Sequence, residues 1–211
     1  LQALGRSPLV ASLLEVRPLP PPSDLPSGVV ALAFTSANAV LAFARHTPQR
    51  DWPVFAVGEA TAEGARAAGF RKVSSADGDV ASLARRIAAA PPDGCVLHPC
   101  AEEAAGDLTG ALIPAGVRVE SLPLYQTCPV ERLPTCACAA LERGVIEAAL
   151  LHSPKGARTL AALWAAAGQP DLACVRLLGL SAACLIPLAH LPFRHADAAA
   201  EPNEASLLEL L

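Results

Sequence analysis

Apolar residues in this chain come in short runs, each ending in a small polar residue that opens a segment of helical spacing. Val29–Phe34 is the clearest case. Six apolar positions run into Thr35-Ser36-Ala37-Asn38, and Val40, Leu41, Phe43 and Ala44 then recur at helical intervals. An unbroken apolar run of this length predicts a strand buried on both faces. Thr35 or Ser36 is then the N-cap of a helix reaching about His46. The device recurs. Strands are expected at Leu9–Val16, Val54–Gly58, Lys72–Ser75, Cys95–His98, Val117–Tyr125, Glu147–His152, Val175–Leu178 and Arg194–Ala199. Helices are expected at Glu59–Ala68, Val80–Ala89, near Glu102–Pro114, and at Cys136–Arg143, Lys155–Ala167, Ser181–Leu191 and Glu204–Leu211, with a helix tail at Leu1–Leu4 stopped by Gly5.

Strands alternating with helices argue an α/β fold on parallel sheets. An internal echo adds to this. Ala33–Asn38 resembles Leu150–Lys155, an apolar strand end followed by a helix-opening serine. Val57-Gly58 resembles Leu178-Gly179, and Ser75–Asp79 before a helix resembles Ala199–Glu204 before another. Three devices in the same order argue two similar halves. The Pro-rich stretch Arg17–Gly28 and the Pro-bearing Thr127–Pro134 are the natural crossings between two domains.

Composition narrows the partners. At 53% hydrophobic and 17% charged, the 211 residues can bury a sizeable core. With a net charge of −4 and no long Lys or Arg block, nucleic acid is not an expected partner. An anionic ligand would have to be held by local donors. Seven cysteines at irregular spacing fit reduced thiols and a cytoplasmic protein rather than a disulfide framework. Cys136-Ala-Cys138 and His98-Pro-Cys100 are the metal-ligand candidates, but their spacing is not that of a zinc ribbon or finger, and small buried thiols are the expected reading. No signal peptide or membrane span is read. Leu177–Phe193 is apolar but interrupted by Gly179, Ser181, Pro187 and His190, so a strand, a turn and a buried helix are expected there.

Five strand-to-helix turns carry the candidate chemistry: Thr35–Asn38, Gly58–Thr61, Gly78-Asp79, Ser153–Gly156 and Gly179–Ser181. Each alone is an ordinary cap. Five on one face, in two domains, would line a cleft with the unpaired N–H groups of helix ends, which suit anions. Lys155 and Arg158, on the first turn of one helix, either pair with carboxylates or form a solvated face. His98 and His152 end apolar runs and read as strand-end or core residues, and Glu102 and Glu103 as a solvated first helical turn. The single tyrosine, Tyr125, sits where the first domain hands back to the second. Its phenol either reaches a cleft or packs in the hinge. There is no GxSxG, HExxH, P-loop or GxGxxG.

Phe34–Val40 (FTSANAV), Val57–Thr61 (VGEAT), Ala67–Phe70 (AAGF) and Ser75–Ala84 (SADGDVASLA) resemble uroporphyrinogen-III synthases. So do Leu122–Thr127 (LPLYQT), His152–Pro154 (HSP), Leu178–Ala183 (LGLSAA) and the Pro202–Glu204 helix start. The likeness covers nearly the whole chain and lies in the order and spacing of these motifs. It implies two similar parallel-sheet α/β domains joined by a two-stranded connector, with the active-site cleft between them. Residues 1–16 with 128–211 would form one domain, 19–122 the other, and 17–18 with 123–127 the connector. The family begins with a strand leading into a Thr-Arg-Pro-like turn, and this sequence starts after it. The first domain is therefore expected to lack that strand.

The implied activity is a cofactor-independent lyase reaction, in a monomer. Hydroxymethylbilane is cyclised to uroporphyrinogen III with loss of water and inversion of ring D through a spiro intermediate. By resemblance Tyr125 matches the tyrosine proposed as proton donor, and Thr35, Ser36, Thr61, Ser153 and Ser181 match polar positions of the cleft. Asn38, Gly58, Lys155 and Gly179 complete the expected binding set. Many members carry a second hydroxyl residue after the position of Ser181, where this chain has Ala182. The alternative is a non-enzymatic, two-lobed protein that binds or senses a small anion. A third reading is a degenerate synthase kept as an interaction domain.

Overall fold

A computed structural model describes residues 5–20, 22, 24–104 and 106–211. The expected helix tail at Leu1–Leu4 lies outside them. The chain divides into two compact units, one running up to Glu15 and resuming at Cys128–Leu211, the other Val16–Thr127. Strands β1 (Leu14–Pro18) and β6 (Val119–Pro129) each contain one of the two crossings between units.

The unit Val16–Thr127 is built on a sheet ordered β1-β6-β5-β2-β3-β4, where β2 is Val29–Phe34, β3 Val54–Ala56, β4 Val73–Ser75 and β5 Cys95–Ala101. The pairs from β6 through β4 are all parallel. Both faces of β2 are covered, which is why its apolar run is unbroken. Leu32 and Phe34 face a core shared with Ala39, Val40 and Phe43 of α1 (Ala37–His46) and Ala65 of α2 (Glu59–Ala67). Ala31 and Ala33 face the opposite core, with Leu83 and Ile87 of α3 (Val80–Ala89) and Leu108 and Leu112 of α4 (Leu108–Leu112). Phe34 and Phe43 meet edge-on with ring centres 6.0 Å apart, and Phe70 and Trp52 close the cluster.

The other unit carries a three-stranded parallel sheet in the order β7 (Ala148–Leu151), β8 (Arg176–Gly179), β9 (His195–Ala198). Its helices are α5 (Thr135–Glu142), α6 (Pro154–Ala166), α7 (Ala182–Leu185) and α8 (Glu204–Leu208). Leu177 of β8 packs with Ala157 of α6, Cys184 of α7 and Leu188 in one core.

The structure corrects several sequence boundaries. The first strand is Leu14–Pro18, not Leu9–Val16; it runs into the Pro-rich stretch expected to be irregular, and Leu9 and Val10 are exposed. β5 continues past His98 through Pro99. Its pairing to β2 has ended at Leu97 and only β6 pairs beyond, so the missing proline N–H breaks no bond on the β2 side. β6 likewise runs on to Pro129. Glu102 and Glu103 are not a helical turn, because α4 begins only at Leu108, capped by Asp107. The long helix expected at Ser181–Leu191 is a four-residue helix followed by a 3-10 turn, Ile186–Leu188, with Pro187 inside it. The last helix ends at Leu208 rather than Leu211.

Candidate functional site

In a parallel sheet every strand ends at the same edge, and that edge is where such sheets bind ligands. In the unit Val16–Thr127 it holds Thr35 and Ser36 after β2, Gly58 after β3, the end of β5, and Tyr125, which pairs with Ala101. The backbone fixes Tyr125 from both sides. Its carbonyl accepts the Glu102 N–H at 2.8 Å, and the neighbouring Leu124 carbonyl accepts the Leu19 N–H at 2.9 Å.

Two side-chain pairs form at this edge. The Ser36 and Tyr125 hydroxyls are 2.9 Å apart, and Ser36 Oγ also accepts the Ala39 N–H at 3.1 Å as the N-cap of α1. Either hydroxyl of the pair can be the donor, because Ser36 Oγ retains a proton and a second lone pair. Tyr125 is 5% exposed, and burial raises its pKa, with the Ser36 hydrogen bond pulling the other way. It is a neutral phenol at ordinary pH. Thr35 is not the cap. Its Oγ1 lies 3.2 Å from Nε2 of His98 on β5. His98 is 3% exposed, and burial lowers its pKa to about 4, so the imidazole is neutral. Sequence reading leaves His98 as a strand-end residue because nothing in the chain announces that β5 lies beside β2.

The remaining expected residues of this unit differ in kind. Asn38 is exposed on the first turn of α1. Gly58 is the N-cap of α2, without a side-chain cap, and a Cβ there would meet nothing within 4 Å. Thr61 is buried in the first turn of α2, its N–H on the Gly58 carbonyl at 3.1 Å. The Gly78-Asp79 turn does not offer a vacant helix end. The Asp79 carboxylate itself accepts the Ser82 N–H, which lowers its pKa.

Beside Tyr125 and Asn38 a cavity of about 310 Å³ opens along α1, walled by Leu41 and Arg45 on the helix and by Val16 and Leu19. A wider depression of about 490 Å³ beside Phe55, Arg85 and Arg86 contains none of the residues at the carboxyl edge. The groove along α1 has no signature in the sequence pattern.

In the other unit the same edge of β7 and β8 carries Ser153, Lys155, Gly179 and Ser181. Ser153 caps α6, accepting the Gly156 N–H at 3.0 Å, with Pro154 at the first helical position. Lys155 follows it and is half-buried. Ser181 precedes α7 without a capping bond; its hydroxyl lies 3.6 Å from Cys184 Sγ. Gly179 answers to packing. A Cβ there would stand 2.8 Å from Leu185 Cδ2 and 3.0 Å from the Ser181 carbonyl. His152, exposed, pairs with Glu204 at 2.9 Å.

All seven cysteines are free thiols. Among the described residues no group of three or more His, Cys, Asp or Glu could hold a metal ion, and no helix is long and apolar enough to cross a membrane.

The fold is that of solved structures. A uroporphyrinogen-III synthetase from Helicobacter pylori 26695 is similar at a TM-score of 0.66 and 19% identity, over 94% of this chain and 89% of that one. A mutant uroporphyrinogen III synthase from the extremely thermophilic bacterium Thermus thermophilus is similar at a TM-score of 0.52 and 19% identity, over 99% and 89%. No curated protein matches the sequence significantly. The sequence profile of the family described as uroporphyrinogen-III synthase HemD matches residues 1–209. The chain therefore belongs to the uroporphyrinogen-III synthase family, lyases of heme biosynthesis.

Proposed function

We propose that this chain closes hydroxymethylbilane to uroporphyrinogen III with Tyr125 as the acid, and that no cofactor is needed. The substrate's own pyrrole nitrogen supplies the push. The C–O bond to the terminal hydroxyl breaks, the oxygen keeps the electron pair, and the Tyr125 proton completes a water molecule. The azafulvenium cation left behind, its charge matched by the phenolate, is attacked by the substituted carbon of ring D, giving a spiro centre. That centre fragments and recloses through the other α-carbon, which inverts the ring. The proton released when the macrocycle regains aromatic pyrroles returns to the phenolate. Atoms balance with the loss of one water.

The observation that carries this reading is the Ser36–Tyr125 contact at 2.9 Å. Ser36 Oγ accepts the Ala39 N–H and keeps both a proton and a second lone pair, so either hydroxyl can be the donor across this contact. Once the phenol proton has been given to the leaving hydroxide, the serine can turn its own proton to the phenolate and stabilise it. Burial keeps the phenol protonated until it is needed. Most of the remaining acceleration is folding of the chain so that the spiro path is the near one.

We assign the substrate's carboxylates to Thr35, Ser36, Asn38, Gly58 and Thr61 in one unit and to Ser153, Lys155, Gly179 and Ser181 in the other. Helix N-termini and hydroxyls suit such groups on a protein of net charge −4. The proposal includes the two-domain arrangement with a two-stranded connector, a substrate held by both domains, and a cytoplasmic monomer.

The test is a coupled assay with freshly made hydroxymethylbilane, oxidising the products and separating the type I and type III isomers. A majority of type III supports the reading. Type I alone, at the level without protein, contradicts it, and tight binding without turnover would favour an anion-binding protein instead.

A further inference from the structure

We propose that the groove along α1 holds one pyrrole ring of the substrate, and that Arg45 at its far end takes a carboxylate arm of that ring. The proposal rests on the synthase reading above and adds to it a subsite.

Asn38, Leu41, Ala42, Arg45 and His46 recur along α1 at intervals of three and four, so they share one face of the helix. This face lines the groove, while Ala39, Val40 and Phe43 of the same helix are buried in the core. The groove starts beside Tyr125 and Asn38 and ends two helical turns later, roughly 10 Å along the axis. Its floor is apolar, and two of its large side chains stay open to solvent: Leu41 is 52% and Val16 46% exposed. None of the described residues lining it is acidic.

Arg45 is surplus to the helix it sits on. A cation in the last turn ordinarily serves the unsatisfied carbonyls there. That work is done by Arg50, whose guanidinium donates to the carbonyls of Ala44 at 2.8 Å and Thr47 at 2.6 Å, while the Thr47 N–H closes on Phe43. Among the described residues Arg45 has no carboxylate partner. Long side chains on a helix lean toward its N-terminus, a tendency that favours reach from Arg45 back along the groove.

An apolar trough with a phenol at one end and an unneutralised guanidinium at the other fits a flat apolar ring bearing an anionic arm. Its volume of about 310 Å³ is at the lower end of ligand pockets and suits one ring rather than a whole tetrapyrrole. Arginine recognises a carboxylate through two parallel N–H bonds, which fixes the ring's orientation relative to the acid.

The experiment compares Arg45→Gln and Arg45→Lys with the unaltered protein and with Arg86→Gln as a control for surface charge. Two quantities are read: kcat/KM for hydroxymethylbilane, and the Kd of uroporphyrinogen III kept reduced. Arg45→Gln is expected to lower kcat/KM about tenfold through KM and to weaken Kd by a similar factor. Arg45→Lys keeps the charge without the two parallel bonds and is expected to fall between Arg45→Gln and the unaltered protein, and added salt weakens the unaltered protein more than Arg45→Gln. An active enzyme whose KM and Kd change less than twofold in Arg45→Gln, or no more than in Arg86→Gln, overturns the subsite and leaves the synthase reading standing. Binding that Arg45→Gln weakens, in a protein without turnover, supports the subsite and overturns the synthase reading. Neither turnover nor binding overturns both.

Discussion

Ser36 caps helix α1 and holds the Tyr125 hydroxyl at 2.9 Å with the same oxygen. One side chain thus serves the fold and, in the proposed mechanism, the acid, and the two roles separate on mutation. Ser36→Ala should cost about 1 kcal/mol of stability as a lost N-cap, measurable by urea unfolding. It should also slow turnover about tenfold, because the phenolate loses its donor. Ser36→Asp restores a capping acceptor but places an anion beside the phenol. It should recover stability and lose activity further.

His98 makes stability depend on pH. Its pKa is about 4 in the folded chain, against about 6.5 unfolded. Between these values the unfolded state binds the extra proton, so stability rises with pH across that window. The contribution is complete above about pH 6.5 and is lost as pH falls toward 4. The shift corresponds to about 3 kcal/mol. Urea unfolding at steps from pH 7.5 to 4 should show this loss, and His98→Leu should flatten it.

Gly58 and Gly179 are expected at equivalent turns of the two halves, yet they answer to different constraints. Gly179→Ala drives a Cβ to 3.0 Å from a backbone carbonyl and should destabilise the chain by about 1–3 kcal/mol. Gly58→Ala meets open space in extended backbone and should leave thermal unfolding nearly unchanged. A drop in kcat/KM in Gly58→Ala then reports the approach of substrate to that turn.

The thiols should titrate in classes. Cys136 and Cys174 are exposed and react at once with a disulfide reagent, while Cys95, Cys100 and Cys184 are buried and wait for unfolding. Burial also pushes the Cys95 and Cys100 thiols up, which withholds the reactive thiolate. A single fast phase of all seven would contradict the packing described.

Much of the fold is legible in the sequence because the strands are short, apolar and followed by capping residues. Val29–Phe34 and Val80–Ala89 match the structure residue for residue. The misreadings have local causes. Pro99 looks like a strand end until β5 is known to have one partner there, and Leu9–Leu13 is apolar without being buried throughout. Candidate site residues on turns are visible as polar residues after apolar runs. His98 and Arg45 are not, because their meaning comes from neighbours in space: Thr35 on the next strand, and Arg50, which occupies the helix end Arg45 would otherwise serve.

The most direct measurement is Tyr125→Phe, assayed under single-substrate kinetics with isomer analysis. The ring is kept and only the proton and oxygen are lost. Removal of a general acid should lower kcat about a hundredfold or more while KM moves little. Type I product from uncatalysed closure should then dominate. A Tyr125→Phe protein that still forms type III at the original rate would contradict the assignment of the acid.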